Sequence, residues 1–509
     1  MSRSYNLLCR PWIPVVWRDS ALEPKEPKVG VREALERARE IRCISHTSPF
    51  IEFGLYRLLI TIVLDAYICV GKRPTVGRMC QMLNEGSFDT AVICCYLETF
   101  KEAFELWGDG ERFLQGSITG ETDPVAKAIA PIPSGTKIAF WHHSLAEDTS
   151  LSEEEAAQEL CAVSPFCFDY APSDICTIAG DPPLYVLVQG ESLFESITLN
   201  LPRPSGRVSL ADERTRGPIW RTRVDDSERL PPAPTICEGW TWPVRKIRLA
   251  VATDEGRISG ATNAAGAGKT DARRRIRSWR DPNAGTVTSS AGLSHIRGRD
   301  GLLVTRDLLP LFLVASEGDP IHGERRRSRP EVVSNALRAM SSWWFRLSVY
   351  GFIDKGGKNN KVFRSWFHTR LSFPAEIARD ERLSHEALNS FKSAQKVADA
   401  LRVALRMLRP TMAAVPREKA TLRVTQRAEA DLLAGFWWHL ESALAHDFLD
   451  TLAAGGTDAK KQLNDSLRRQ ARDALAAATG PHRRNAHGLF RVANASNFLE
   501  GRLARLLPK

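Results

Sequence analysis

Several residue groups have types and spacings that could do chemistry. Asn263, Gly266, Gly268, Lys269 and Thr270 nearly spell a P-loop, whose glycines let backbone amides cradle phosphates while the lysine reaches the terminal ones. Asparagine stands at 263 where the pattern needs its first glycine. The residues after it, 271–279, are too densely cationic for a helix packed on a sheet, and no apolar strand ending in aspartate is evident to hold magnesium. Nucleotide hydrolysis is therefore the minor reading. His142 and His143 are adjacent; in a strand they point to opposite faces and cannot chelate one ion together. His446 and Asp447 stand alone, without further histidines at metal-site spacing, and His446 reads as a solvated helix residue. There is no nucleophile elbow. The ten cysteines contain no pair two residues apart, Cys94 and Cys95 being adjacent, so a structural zinc is not indicated. No catalytic residue, metal ligand or cofactor is expected.

Cationic residues are more informative. Residues 269–280 hold six Lys/Arg against one acid, Asp271, and the candidate phosphate contacts there are Lys269, Arg273, Arg274, Arg275 and Arg277. A second cluster supplies Arg325, Arg326 and Arg327. A guanidinium fork grips two phosphate oxygens at once, and a glycine-bordered loop lets it reach them. A single cluster reads equally well as a solvated or ion-paired face; two in the loop-rich half favour nucleic acid. The formal net charge of +10 is compatible with a polyanionic partner. Trp141, in a loop-like run with Phe140 and the two histidines, could stack on a base, though the residues alone favour core packing. Trp343, Trp344, Trp437 and Trp438 read as core or interface residues of helical segments.

The elements that must position these groups follow from periodicity. At 509 residues the chain exceeds what one core usually supports, so two or more domains are expected. Residues 6–18 alternate apolar positions with proline and read as a strand. Residues 31–42 and 49–70 have helical spacing. The most membrane-like stretch, 53–71, overlaps the second of these, but Arg57 and Asp65 interrupt it, so a core helix is expected and no membrane span. Residues 115–240 read as strands joined by long loops, with 184–188 and 196–201 as strands; 246–252 is another. From about residue 331 the chain reads as helical, ending in four amphipathic helices around Leu401, Leu440, Leu467 and Leu503. The expected fold is α+β: a loop-rich mixed N-terminal domain over 1–370 and a C-terminal four-helix bundle over 371–509, the boundary lying within 360–385. No signal peptide precedes the first residues, so a cytoplasmic location with reduced thiols is expected.

Particular residues also resemble a known family. Asn6, Leu7, Leu8, Pro11, Trp12, Ile13, Pro14 and Val15 strongly resemble the N-terminal signature of the CasA family, the large subunit of the type I-E CRISPR complex Cascade. Residues 31–42 follow at the family's distance, then Arg57, Leu58 and Leu59, and then an element around Phe113 and Gln115. Segments around Pro202 and Arg203, around Trp240 and Trp242, and at Trp279, Asp281 and Pro282 continue it in order. Only the N-terminal signature is specific by itself.

The resemblance implies a non-enzymatic subunit that reads a short PAM beside the target, wedges the duplex open for guide pairing and recruits a helicase-nuclease. Base pairing then supplies sequence specificity, and the protein supplies the PAM check and a cationic channel. Its partners would be crRNA, target double-stranded DNA, the backbone, small and crRNA 5′-end subunits, and the helicase-nuclease. By resemblance, Phe140, Trp141, His142 and His143 match the crRNA- and PAM-proximal loop, and Lys269 falls near the family's PAM-proximal lysine. Asn359, Asn360, Lys361 and Val362 match the wedge hairpin that follows Tyr350 and Gly351. Two departures stand out. Lysine occupies position 361 where the wedge can carry glutamine, and of the glycine-rich loop only Ala179, Gly180 and Asp181 are recognisable. A scaffold that grips only crRNA or neighbouring subunits remains open beside the PAM-reading subunit.

Overall fold

The computed structural model describes the chain apart from residues 1–3, 19–25, 109–111, 117, 119, 126–149, 167–176, 179–181, 204–207, 223–232, 251–256, 266–278, 290–291, 300–301, 314–325, 356–361, 410–418 and 508–509. It is mixed α+β, with small sheets and a C-terminal helical region. Two compact units divide the chain. The first comprises 1–300, 316–341 and 346–370; the second comprises 301–315, 342–345 and 371–509.

The first unit is built on the helix Pro49–Cys69, which is buried almost all round, as an evenly apolar helix must be. Proline at its first turn costs no hydrogen bond there. Among the described residues no helix is long and apolar enough to cross a membrane. The helix Glu153–Phe166 lies against it. At their contact a Cβ on Gly54 would stand 2.6 Å from the Cys161 carbonyl oxygen, so only glycine allows this approach. The strand Ile13–Trp17 pairs antiparallel with Lys28–Val29 and Ile41–Ile44. Leu7, Leu8, Trp12 and Ile13 beside it are fully buried, and Trp12 Nε1 donates to the Leu7 carbonyl at 2.9 Å. The N-terminal signature is thus a packing element.

Three expectations fail here for identifiable reasons. The helix begun at Val31 stops at Glu36, because Ile41 and Ile44 are taken up as strand partners of Trp17 and Val15. Residues 196–201 are not a strand but mostly lie in the helix Leu193–Leu199. Ser192 Oγ accepts from Glu195 N at 3.2 Å, and Glu195 Oε2 accepts from Glu191 N at 2.8 Å, a local preference that outweighs the β-branched content. A fully reciprocal cap starts Glu153–Phe166, through Ser152 and Glu155, and Ile236–Thr241, through Thr235 and Glu238. Among the described residues, the region 115–240 therefore holds helices where only strands and loops were expected.

The chain after 331 also departs from a continuous helical reading. A helix Glu331–Ala339 is followed by two long strands, Trp344–Lys355 and Val362–Pro374, in a sheet with Tyr185–Gln189. Trp344 opens the first strand and Trp343 lies in a bend, so neither is helical. The second unit holds four long helices: Glu381–Met407, Lys419–Ser442, Ala459–Thr479 and Ala486–Leu506. The first packs against the other three through residues such as Leu401, Leu463, Leu467 and Leu499.

Candidate nucleic-acid interface

Three charges on one apolar helix tie distant segments to it, two of them at the expected site. Glu52, Arg57 and Asp65 are all buried in Pro49–Cys69. A buried charge persists only when paired, and each of these is paired with a different segment.

Arg57 holds the exit of the first basic segment. Its Nη2 donates to both carboxylate oxygens of Asp281 at 3.1 and 3.0 Å. Its guanidinium carbon lies 4.7 Å from the Phe53 ring centroid, 4.5 Å from Tyr185 and 5.1 Å from Trp240, so aromatic faces replace much of its hydration. Asp281 also accepts from the Asn283 amide at 3.0 Å. Its own amide donates to His295 Nε2 at 3.2 Å, and burial lowers the His295 pKa, which keeps that nitrogen an acceptor. Two residues earlier, buried Trp279 covers Gly239, where a Cβ would stand 2.2 Å from the indole.

The second basic segment arrives at the same place. The strand Arg326–Ser328 pairs antiparallel with Thr286–Ser289, placing Arg326 opposite Thr288 and Arg327 opposite Val287. Val332 N donates to the Pro282 carbonyl at 3.1 Å. The chain leaving each basic cluster is thus tied to the chain leaving the other.

Glu52 holds the hairpin. Tyr350 is fully buried and its hydroxyl donates to Glu52 Oε1 at 2.5 Å. Its ring stacks on His368 at 4.7 Å and 11°, and Arg370 Nη2 lies 3.9 Å from the same carboxylate. Burial raises the Glu52 pKa, opposed by the Tyr350 hydrogen bond. Burial and the neighbouring Glu52 push the Tyr350 phenol well above its ordinary value, so it stays a donor. On the other side, a Cβ on Gly298 would stand 1.8 Å from the Phe352 carbonyl oxygen, so the segment carrying Arg297 and Arg299 is pressed on the hairpin. Asp65 accepts from the Tyr96 hydroxyl at 2.7 Å and Arg221 Nη2 at 2.8 Å, tying in a segment outside the expected site.

Many expected site residues lie outside the described residues: Phe140, Trp141, His142, His143, Lys269, Arg273, Arg274, Arg275, Arg277, Arg325, Asn359, Asn360 and Lys361. Arg326 and Val362 are placed as strand backbone, and Arg327 is exposed. The near-P-loop begins badly for a nucleotide site. Asn263 sits within the strand Gly260–Ala265, opposite Ile247 of Arg245–Leu249 in an antiparallel ladder, whereas a P-loop runs from a strand end into a helix. Trp437 is buried but Trp438 is 73% exposed. Sequence reading missed Arg297 and Arg299, and of the hairpin's Lys/Arg it weighed only Lys361. Residues 344–374 hold six Lys/Arg against one acid, Asp354, a charge count that would have marked the whole hairpin as cationic.

A mixed α+β first unit with anchored basic segments, followed by a helical unit, defines the class of protein. The family described as CRISPR-associated protein Cse1 matches residues 6–475. The chain belongs to this Cse1 family. A curated CRISPR-associated protein CasA/Cse1 from Thermus thermophilus is 28% identical over 279 residues, which is 50% of this chain and 51% of that protein. The chain thus spans about half the length of the curated relative it matches. The structure of Thermobifida fusca Cse1 superposes with a TM-score of 0.73 at 20% identity, covering 99% of this chain and 98% of that one. A chain of a CRISPR RNA-guided surveillance complex superposes with a TM-score of 0.69 at 19% identity, covering 99% of both. The fold is shared with both.

Proposed function

We propose that the chain is the large subunit of a type I-E CRISPR surveillance complex, acting in the cytoplasm without catalysis of its own. In this reading it recognises a PAM beside double-stranded target DNA, starts strand separation and R-loop formation, and recruits the helicase-nuclease. Family membership and the fold shared with a chain of an RNA-guided surveillance complex support it. The observation that carries it is that one helix anchors both the exit of the first basic segment, through Arg57, and the hairpin, through Glu52.

Residues 1–370 then supply the nucleic-acid contacts, and 371–509 the helical domain. Phe140, Trp141, His142 and His143 face crRNA and PAM-proximal DNA. Lys269, Arg273, Arg274, Arg275 and Arg277, with Arg325, Arg326 and Arg327, hold phosphates. Asn359, Asn360, Lys361 and Val362 occupy the place of the first displaced pair, which costs a few kcal/mol of unstacking offset by backbone contacts. The backbone, small and crRNA 5′-end subunits complete the assembly.

The test is binding of the reconstituted crRNA complex, with and without this chain, to guide-matched duplexes with randomised flanks. Enrichment of a short flanking motif only with the chain present is the expected result. Flank-independent binding reduces the chain to a scaffold or a non-specific clamp. Replacing Arg273, Arg274, Arg275 and Arg277 by alanine lowers the salt slope by up to about 3.6, at roughly 0.9 per duplex phosphate contact; an unchanged slope refutes the channel assignment.

A further inference from the structure

The helical unit carries cations that the reading above does not use. Several arginines of this unit are matched to acids: Arg402 to Asp399, Arg406 and Arg409 to Glu429, Arg468 to Asp465 and Arg472 to Glu500. The corner between Ala459–Thr479 and Ala486–Leu506 is different. No acid occurs between Asp473 and Glu500, while His482, Arg483, Arg484, His487 and Arg491 do. Arg483, Arg484 and His487 are exposed and make no ion pair or side-chain hydrogen bond among the described residues.

The corner is also firmly built. The turn Gly480–Arg484 precedes Asn485, whose side-chain oxygen accepts from Gly488 N at 2.7 Å. A Cβ on Gly488 would stand 1.8 Å from the His482 carbonyl oxygen, so the turn is clamped on the first helical turn. Beside the cations, Phe490 is 67% exposed and Leu489 52% exposed. Two neighbouring apolar side chains fall far short of a standard protein interface, which buries about 800 Å² per partner. One aromatic face among unpaired cations is the size of a single base and the arrangement that tracks a single strand.

We infer that this corner is a second, sequence-independent contact for single-stranded nucleic acid, with Arg483, Arg484 and His487 on phosphates and Phe490 stacked on a base. It uses none of the residues assigned to flank recognition, so either reading can fail without the other.

The experiment is fluorescence anisotropy of a labelled oligothymidylate with the full chain across a salt titration. The double variant Arg483→Gln/Arg484→Gln lowers the salt slope by about 1.4, at roughly 0.7 per single-strand phosphate contact. Phe490→Ala weakens binding roughly 5- to 150-fold with the slope unchanged, and Phe490→Tyr restores it, which separates stacking from any effect on folding. Curves and slopes that coincide with wild type overturn the inference. So does displacement of the oligonucleotide by polyglutamate with Phe490→Ala silent, which assigns the corner to an acidic protein. The flank preference of the assembled complex stays unchanged in the arginine double variant; its loss overturns sequence independence.

Discussion

Removing the Asp281 carboxylate is the most demanding test of how the first basic segment is held. In Asp281→Ala, Arg57 keeps its charge in a pocket walled by Phe53, Tyr185 and Trp240 and loses the carboxylate that receives two contacts of about 3 Å. Aromatic faces offset part of a desolvated charge, at roughly 2 kcal/mol, which falls short of a carboxylate. Breaking a buried pair from one side costs about 3–5 kcal/mol, and the Asn283 amide, which also loses its acceptor, moves the cost to the upper end. The double variant Arg57→Met/Asp281→Leu removes both charges at similar volume, so it costs less than either single change, with a coupling of at least about 2 kcal/mol. Urea unfolding of the full chain followed by tryptophan emission reads this, because Trp240 and Trp279 flank the pair. A cost below about 1 kcal/mol for Asp281→Ala, or additive single changes, refutes the claim that this pair anchors the segment. In the proposed reading the single variant also weakens duplex binding, since Trp279 and Asp281 fix where the basic segment ends.

The hairpin clamp gives a pH-dependent counterpart. Because burial raises the Glu52 pKa, the folded chain holds more protons than the unfolded chain between the two values. Its contribution to stability is therefore full below the unfolded carboxyl value and falls as pH rises through the folded one. Glu52→Gln keeps an acceptor for Tyr350 and removes the titration, so the difference in melting temperature between wild type and variant shrinks as pH falls; a constant difference contradicts the raised value. At Gly54, alanine would ordinarily gain up to about 1 kcal/mol of helix propensity. With the Cys161 carbonyl 2.6 Å from the new Cβ, Gly54→Ala instead destabilises by about 1–3 kcal/mol in urea unfolding. A stabilised variant rules out the close approach.

The fold was legible where one periodicity ran long enough to outvote local competition. The helix Pro49–Cys69 and the four long helices of the second unit emerge from apolar spacing alone. Short elements were misread where another local signal decided. Ser152 with Glu155 and Thr235 with Glu238 each form a reciprocal cap, and Ser192 caps Glu195 N while the Glu195 carboxylate accepts from Glu191 N. All three are visible in sequence as a Ser or Thr three residues before Glu. Weighing those caps above β-branched content would have placed the helices Glu153–Phe166, Leu193–Leu199 and Ile236–Thr241. Nothing local distinguishes Ile41 as a strand residue; its partner Trp17 is supplied by the fold.

The site was half legible for a different reason. Composition shows which residues can touch a polyanion, but not what fixes them, because Arg57 and Asp281 are 224 residues apart in the chain and Glu52 and Tyr350 are 298 apart. A sequence signal for these anchors does exist. Charges inside an otherwise apolar helix of 21 residues cannot remain unpaired in a protein interior, so each must have a distant partner of opposite charge or a donor. Had that requirement been followed through, Arg57 would have demanded an acid and Glu52 a donor, each on a segment that has to reach the core. The segments that answer are the end of the first basic run and the hairpin. Two of the charges that break the pattern of the core helix, Arg57 and Glu52, are thus the ones that connect it to the candidate interface.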